Sequence, residues 1–435
     1  MTLIRPGMLA GLMIVIINGC YDSGHRHLDV DTMEESDAEE SDTVESPEVD
    51  LNEDELDVPD IDVEDMPPPC EFGALMDNVQ LTFHERYPYN AALPTMVYTG
   101  SEFAIVWLDN RNTLGEEDEL FCTAVTPSGE KVFEDLQLTQ GADPGYVNFP
   151  DAAFSGSEIG VVFKKFAEGE EYRADLYFIR LTLDGTMMGS ETGLTTDDPA
   201  GLSDRPLIAF SGNGYGIAWT RVPSLMFMRL DIDGNPVGEE LVLDPDFQPG
   251  REFSLIHAGS AFAMVWDRDG EKIAFARVSD EGAVVDGPRD LTSGSLDHSP
   301  SIAFDGAGYG VVYEKPTLEP HDNNLYFFGL SPEGERLSPD DIRLTDDLEY
   351  PHNPKIIHNG SEYAVVWYNN NASGVFLDRL DEDGNLKGES FMITDTLIHT
   401  NRFPIVPAED YYAAVWEYGE NLMFGRFGCL DRVDP

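Results

Sequence analysis

The chain has 435 residues, 41% of them hydrophobic, and carries 83 Asp and Glu against 26 Lys and Arg, a formal charge of -57. Such a field repels nucleic acid and anionic membrane surfaces, which leaves cations and basic partners as the favoured counterparts. The length suits roughly two or three average domains, or one ring of tandem repeats with ample core.

Arg5 precedes an apolar run over residues 9–17, followed by Asn18-Gly19-Cys20. The run is too short to span a bilayer and has the shape of a cleavable export signal. Ile17-Asn18-Gly19-Cys20 resembles the lipobox of bacterial lipoproteins, with an aliphatic residue three places before a Cys and a small residue directly before it. The resemblance implies that residues 1–19 are a signal peptide, that cleavage falls before Cys20, and that its acylated thiol anchors the mature chain to a membrane. Tyr21 stands where an Asp would imply inner-membrane retention, so the implied address is the bacterial cell envelope, at the outer membrane.

Residues 20–69 form the next unit, a lipidated Cys followed by an acidic stretch. Residues 21–69 hold 20 acids against one base, Arg26, a net of -19. Runs such as Glu34-Glu35-Ser36-Asp37-Ala38-Glu39-Glu40 lack the apolar density to offset ordering entropy. The composition reads as a self-repelling, extended tether. A calcium-collecting or partner-binding acidic tail is the alternative.

From residue 70 onward one phrase recurs, seen most clearly as Gly360-Ser361-Glu362-Tyr363-Ala364-Val365-Val366-Trp367. Its copies begin at Gly100, Gly156, Gly212, Gly259 and Gly306, with a degenerate seventh over residues 409–416. The successive glycine spacings are 56, 56, 47, 47 and 54 residues. Ahead of the phrase lies a strand that opens on a proline, at Pro94, Pro150, Pro206, Pro300, Pro354 and Pro404, with Phe253 standing in once. Behind it come a third strand such as Met226-Phe227-Met228-Arg229-Leu230, a turn such as Asp231-Ile232-Asp233-Gly234, and a fourth strand ending in Leu-Thr. Four strands per repeat at this period predict an all-β fold, a seven-bladed β-propeller of four-stranded antiparallel blades.

The ends of the array predict closure. Val79-Gln80-Leu81-Thr82 is a fourth strand with no blade before it, and the seventh repeat stops after its third strand. The N-terminal strand therefore completes the last blade and hides two sheet edges. Cys70 and Cys429 then meet as a disulfide, and Cys122, in an apolar stretch, is a buried free thiol. At this level residues 75–435 resemble tandem-repeat propeller lipoproteins of bacterial envelopes, with repeats of the form Pro-x-aliphatic-Ala, Gly-x-x-Tyr-x-Val-x-Trp and Leu-Asp-x-Asp-Gly. The resemblance implies an architecture and carries no shared catalytic motif.

Function is read from the loops. Turns between strands one and two, and three and four, are short and share one face. Connections from strand two to three and from blade to blade, such as residues 109–119, 164–174 and 314–324, are long and share the other, where recognition is usually placed. Two residues before each first strand, at the channel mouth, stand Ala92, Asn148, Asp204, Arg251, His298, His352 and Arg402. Asn148, Asp204, Arg251, His298, His352 and Arg402 are the candidate ligand-binding set, and His298 and His352 with Asp204 have metal-ligand chemistry. A polar, water-filled mouth uses the same residue types.

No cofactor is required by any motif. Calcium is conceivable at Asp231-Ile232-Asp233-Gly234-Asn235, at Asp381-Glu382-Asp383-Gly384-Asn385, or among Asp109, Glu116, Glu117, Asp118 and Glu119, although hairpin turns explain the first two equally well. No nucleophile triad, Walker loop or dinucleotide turn is present. The reading is a lipid-anchored, non-catalytic binding or scaffold module with an envelope protein or glycan as partner. The alternative is a carbohydrate-active hydrolase or lyase that uses the channel face.

Overall fold

A computed structural model describes residues 70–84, 90–113, 117–140, 147–166, 173–196, 203–248, 250–294, 296–316, 323–346, 350–395 and 403–431. Cys20, the apolar run, the acidic stretch and Arg402 lie outside the described residues. Seven antiparallel sheets follow one another along the chain. Their first strands are Ala91–Tyr98, Val147–Phe154, Ser203–Phe210, Phe253–Ala258, His298–Phe304, Pro351–His358 and Ile405–Ala408. Each first strand touches the first strand of the next blade, and the last touches the first, so the ring is closed around an axis lined by these strands. The protein is a seven-bladed β-propeller.

The apolar run of the second strand explains why blades stack. Phe103–Asp109 is buried at every position, as expected of a strand covered on both faces. The core is accordingly divided into clusters that each straddle two adjacent blades. Phe103 and Trp107 of blade 1 pack with Tyr411 and Phe424 of blade 7, and Val106 and Leu108 on the opposite face pack with Val161 and Phe163 of blade 2. The repeat's aromatic position is filled by Trp107, Trp219, Trp266, Trp367 and Trp416, all fully buried. The small residue of the same phrase seats the next blade's ring. A Cβ on Gly216 would lie 2.4 Å from the Phe262 ring, and one on Gly310 would lie 2.8 Å from Tyr363.

The hairpin turns are built by their own side chains. Asp231 Oδ1 accepts the backbone N–H of Asp233 at 3.0 Å and of Asn235 at 2.8 Å, and Asp381 Oδ1 accepts that of Asn385 at 2.8 Å. Gly234, at φ +86°, completes the turn where a Cβ would meet the Phe178 ring of the preceding blade at 2.4 Å. The Leu-Thr ending is also explained. Leu138 N–H donates to Leu120 O at 2.7 Å and the Thr139 hydroxyl accepts the Leu120 N–H at 2.9 Å, which extends the ladder past a fourth strand of two residues, Leu136–Gln137.

Closure repeats that clasp between the two ends of the chain. Val79–Gln80 pairs with the last strand, Asn421–Cys429. Leu81 N–H donates to Leu422 O at 2.8 Å and the Thr82 hydroxyl accepts the Leu422 N–H at 2.9 Å. A piece that the sequence reading did not anticipate, Phe72–Ala74, pairs with the same strand further along, setting Phe72 against Cys429. The Cys70–Cys429 disulfide joins the two ends with a Cα separation of 5.4 Å, and Cys122 is a buried free thiol.

Two expectations are corrected. The prolines do not open the first strands. In five blades the strand begins two or three residues earlier and runs through the proline. Nor is the connection from strand two to three long throughout: Arg221 and Ser224, Arg268 and Lys272, and Tyr418 and Asn421 are the strand ends around short turns in blades 3, 4 and 7. The long connections belong to blades 1, 2 and 5.

Candidate ligand-binding site

The residue before the proline decides the shape of the channel mouth. Leu93, Phe149, Arg205, Ser299 and Asn353 have φ of 47°, 49°, 50°, 52° and 53°, a left-handed backbone uncommon outside glycine. At each of them the register with the second strand slips, so each is a β-bulge. The N–H that the bulge turns away from the ladder needs another acceptor. Phe149 and Arg205 use the side chain just before them, Asn148 Oδ1 at 2.8 Å and Asp204 Oδ1 at 2.9 Å. Leu93 and Asn353 use a carboxylate of the preceding blade, Glu417 Oε1 at 2.8 Å and Glu314 Oε1 at 2.7 Å.

Glu314 is the centre of the most developed cluster. It follows Tyr313 on the second strand of blade 5, its side chain is 1% exposed, and its Oε2 stands 3.1 Å from Nδ1 of His352 and 3.7 Å from Nδ1 of His298. Asn323 Nδ2 donates to the same oxygen at 3.0 Å. Burial acts to raise the Glu314 carboxyl, but the His352 hydrogen bond, the two imidazoles and the Asn353 N–H outweigh it and hold it below the ordinary carboxylate value. The same hydrogen bond raises His352 above its ordinary value, against a smaller effect of burial.

The other mouth residues pair locally. Lys164 Nζ is 2.9 Å from Asp204 Oδ1, and Arg251 meets Asp267 at 3.1 Å. His298 and His352 are thus brought together on Glu314, while Asp204 is held by Lys164 and Arg251 by Asp267. Glu314, Asp267, Glu417 and Lys164 all sit directly after the repeat's aromatic residue. A polar residue ending each apolar run was the sequence signal for them. Among the described residues the only group of three metal-ligand side chains within reach of one ion is Cys70, Cys429 and Asp431, and its two sulfurs are joined to each other. Of the acidic stretch at residues 109–119, Asp109 is buried and bound to His84, Trp107 and Arg111, and Glu119 accepts the Thr139 hydroxyl.

Inside the mouth the first strands enclose a cavity of about 750 Å³. Ala92 and Asn148 line it; Asp204, Arg251, His298 and His352 do not. Leu93, Phe149 and Phe403 form much of its rim, together with an ion pair between Arg205 and Glu252 at 2.9 Å. Asp118 also contributes, its carboxyl pushed up by burial and by the charge of Asp109. Below the rim lies a layer with one residue from every blade, Thr95, Asp151, Leu207, Ser254, Ser301, Lys355 and Ile405. The floor is apolar, with Leu255, Ile256, Ile302, Ile356 and Ile357. Volume and lining are those of a preformed site for a small molecule.

No protein-family model and no curated protein matches the sequence. Among solved structures, the β-propeller domain of the trilobed protease from Pyrococcus furiosus is similar over 79% of this chain and 94% of its own, at 12% identity and a TM-score of 0.47. The Trypanosoma rangeli sialidase is similar over 83% of this chain and 60% of its own, at 11% identity and a TM-score of 0.42. An acylaminoacyl peptidase is similar over 78% and 51%, at 13% identity and a TM-score of 0.47. This chain therefore spans less than two thirds of the latter two proteins. The likeness is one of fold.

Proposed function

We propose that this protein is a lipid-anchored component of a bacterial outer membrane whose propeller is a non-catalytic binding or scaffold module, working through its long-connection face. The observation that carries the binding part is the cavity of about 750 Å³, which opens among the bulges and long connections of that face. Antiparallel order puts the start of each first strand and the end of each second strand on the same side, so the described ends of those connections lie beside the mouth. The mouth's charged groups are largely committed to ion pairs within and between blades, which suits a rigid rim more than a reacting centre. The anchor rests on Cys20 and the apolar run before it. With a charge of -57, an envelope protein or a glycan is the partner class, and nucleic acid is disfavoured by charge repulsion.

Two measurements test this. Metabolic labelling with an alkyne fatty acid should mark the wild-type chain and not Cys20→Ser; equal labelling removes the anchor. A photo-crosslinking residue at exposed Asn112, on the long-connection face, should capture a discrete envelope partner in cells, whereas one at Ser361, on the tight-turn face, should not. Capture from Ser361 alone, or from neither, overturns the assignment of the face.

A further inference from the structure

The cavity layer below the rim obeys a rule with one exception. Its polar members tie neighbouring inner strands together through side-chain oxygens. Asp151 Oδ2 accepts the Ile208 N–H of the next blade at 2.9 Å, and Ser301 Oγ accepts the Ile356 N–H at 3.1 Å. Ser254 Oγ faces the Ile302 N–H in the same relation at 3.4 Å, and the Thr95 hydroxyl donates to Asp151 Oδ1 at 3.2 Å. Leu207 and Ile405 have no polar group to satisfy. Lys355 occupies the same position in blade 6, but an ammonium has three donors and no acceptor, so it cannot make this tie.

Nor does Lys355 find a carboxylate: among the described residues no ion pair or hydrogen bond engages its ammonium, although the chain holds 83 acids. The acids that share the cavity are otherwise engaged or disfavoured as anions. Glu252 is paired with Arg205, Asp151 takes two donors, and Asp118 is pushed towards its neutral form. The hydroxyls of Thr95, Ser254 and Ser301 are turned to neighbouring inner strands, and Phe149 and Phe403 near the opening with isoleucines beneath supply the apolar wall. A cavity with one uncommitted cation above an apolar floor selects a ligand with one anionic group and an apolar body.

We propose that the cavity binds a small amphipathic carboxylate, with Lys355 receiving the carboxylate and the Phe149, Phe403 and isoleucine walls receiving the apolar part. This deepens the binding reading above by naming the ligand class of that cavity.

The test is calorimetric titration of the full mature chain with two matched probes, 3-phenylpropionate and its uncharged amide, 3-phenylpropanamide. The carboxylate should bind the wild type at least about tenfold more tightly than the amide. Lys355→Met should abolish that preference while leaving amide binding unchanged, and Lys355→Arg should keep it. Raising the salt concentration should weaken the carboxylate only. Equal affinity of the wild type for both probes overturns the Lys355 assignment while leaving a binding cavity in place. Absence of heat from both probes overturns the ligand class, and leaves the crosslinking experiment to judge the binding module by itself. A preference that survives in Lys355→Met would place the anion on Arg205 and also overturns the proposal.

Discussion

Glu314 Oε2 and His352 Nδ1 lie 3.1 Å apart, and the contact fastens the second strand of blade 5 to the first strand of blade 6. The direction of each pKa fixes how the contact responds to pH. Glu314 is held below its ordinary 4.5, so its contribution is full above that value and fades as pH falls through the lower folded value. His352 is held above its ordinary 6.5, so its contribution is full below 6.5 and fades as pH rises through the higher folded value. The pair is therefore strongest between 4.5 and 6.5. The stability difference between wild type and His352→Gln should be about 1 kcal/mol larger at pH 5.5 than at pH 8.5, a modest figure because the imidazole is partly exposed to solvent. Urea melts at the two pH values measure it. A difference that does not change with pH would mean that His352 acts by packing alone.

The ring closure supplies a second expectation. The disulfide spans 359 residues of sequence. The chain-entropy account gives on the order of 5 kcal/mol for so long a loop. Cys429→Ser, or reductant added to the wild type, should lower the denaturation midpoint by a matching amount, and Cys122→Ser, which keeps the disulfide, should lose the same amount on reduction. Identical melts with and without reductant would contradict the covalent closure.

Gly216 tests how the blades stack. A methyl group there meets the Phe262 ring at 2.4 Å, and that ring is itself buried. Gly216→Ala should cost about 1–3 kcal/mol, and Phe262→Leu in the same chain should recover part of it. Calorimetry on the single and double variants decides. A neutral Gly216→Ala would show that the inter-blade seam is more compliant than this geometry allows.

Asp244 explains a departure from the Leu-Thr ending. In blade 3 the threonine is replaced by an acid whose Oδ2 accepts the indole N–H of Trp266, in blade 4, at 2.7 Å and the Arg268 Nε–H at 3.1 Å. Asp244→Ala leaves a buried indole N–H without its acceptor and should cost roughly 1–3 kcal/mol. Combining it with Trp266→Phe should cost less than the sum of the two single changes, because no orphaned donor remains. Strict additivity would argue that the hydrogen bond contributes nothing.

The sequence made much of this architecture legible, for a physical reason. Each blade repeats the same inter-blade contacts, so the small residue before the apolar run, the aromatic that ends it and the Asp-x-Asp-Gly turn recur in register. The clasp made by Leu81 and Thr82 was readable for the same cause, as one more Leu-Thr ending that lacked a blade of its own. The channel was harder. Alternation along a strand predicts which side chains face inward, but a bulge at Leu93, Phe149, Arg205, Ser299 or Asn353 shifts the alternation by one. The reading therefore chose His298 and His352 at the mouth and passed over Lys355 and its layer, which lie just beyond the slip. Glu314 shows in the sequence only as the polar residue ending an apolar run; its contacts with His352 and Asn353 come from the next repeat, and pairing between repeats leaves no local pattern.

One consequence of the closure concerns time. Phe72–Ala74 and Val79–Gln80 are among the earliest segments of the propeller to be synthesised, and their partner, Asn421–Cys429, is nearly the last. Six blades can assemble in order as the chain lengthens, but the seventh has to wait for residues made at opposite ends of translation, the kind of distant pairing that slows folding. Phe72–Ala74 and Val79–Gln80 must remain unpaired until Asn421–Cys429 arrives. Oxidation of Cys70 with Cys429 therefore seals only a ring whose last strand, Asn421–Cys429, has been made.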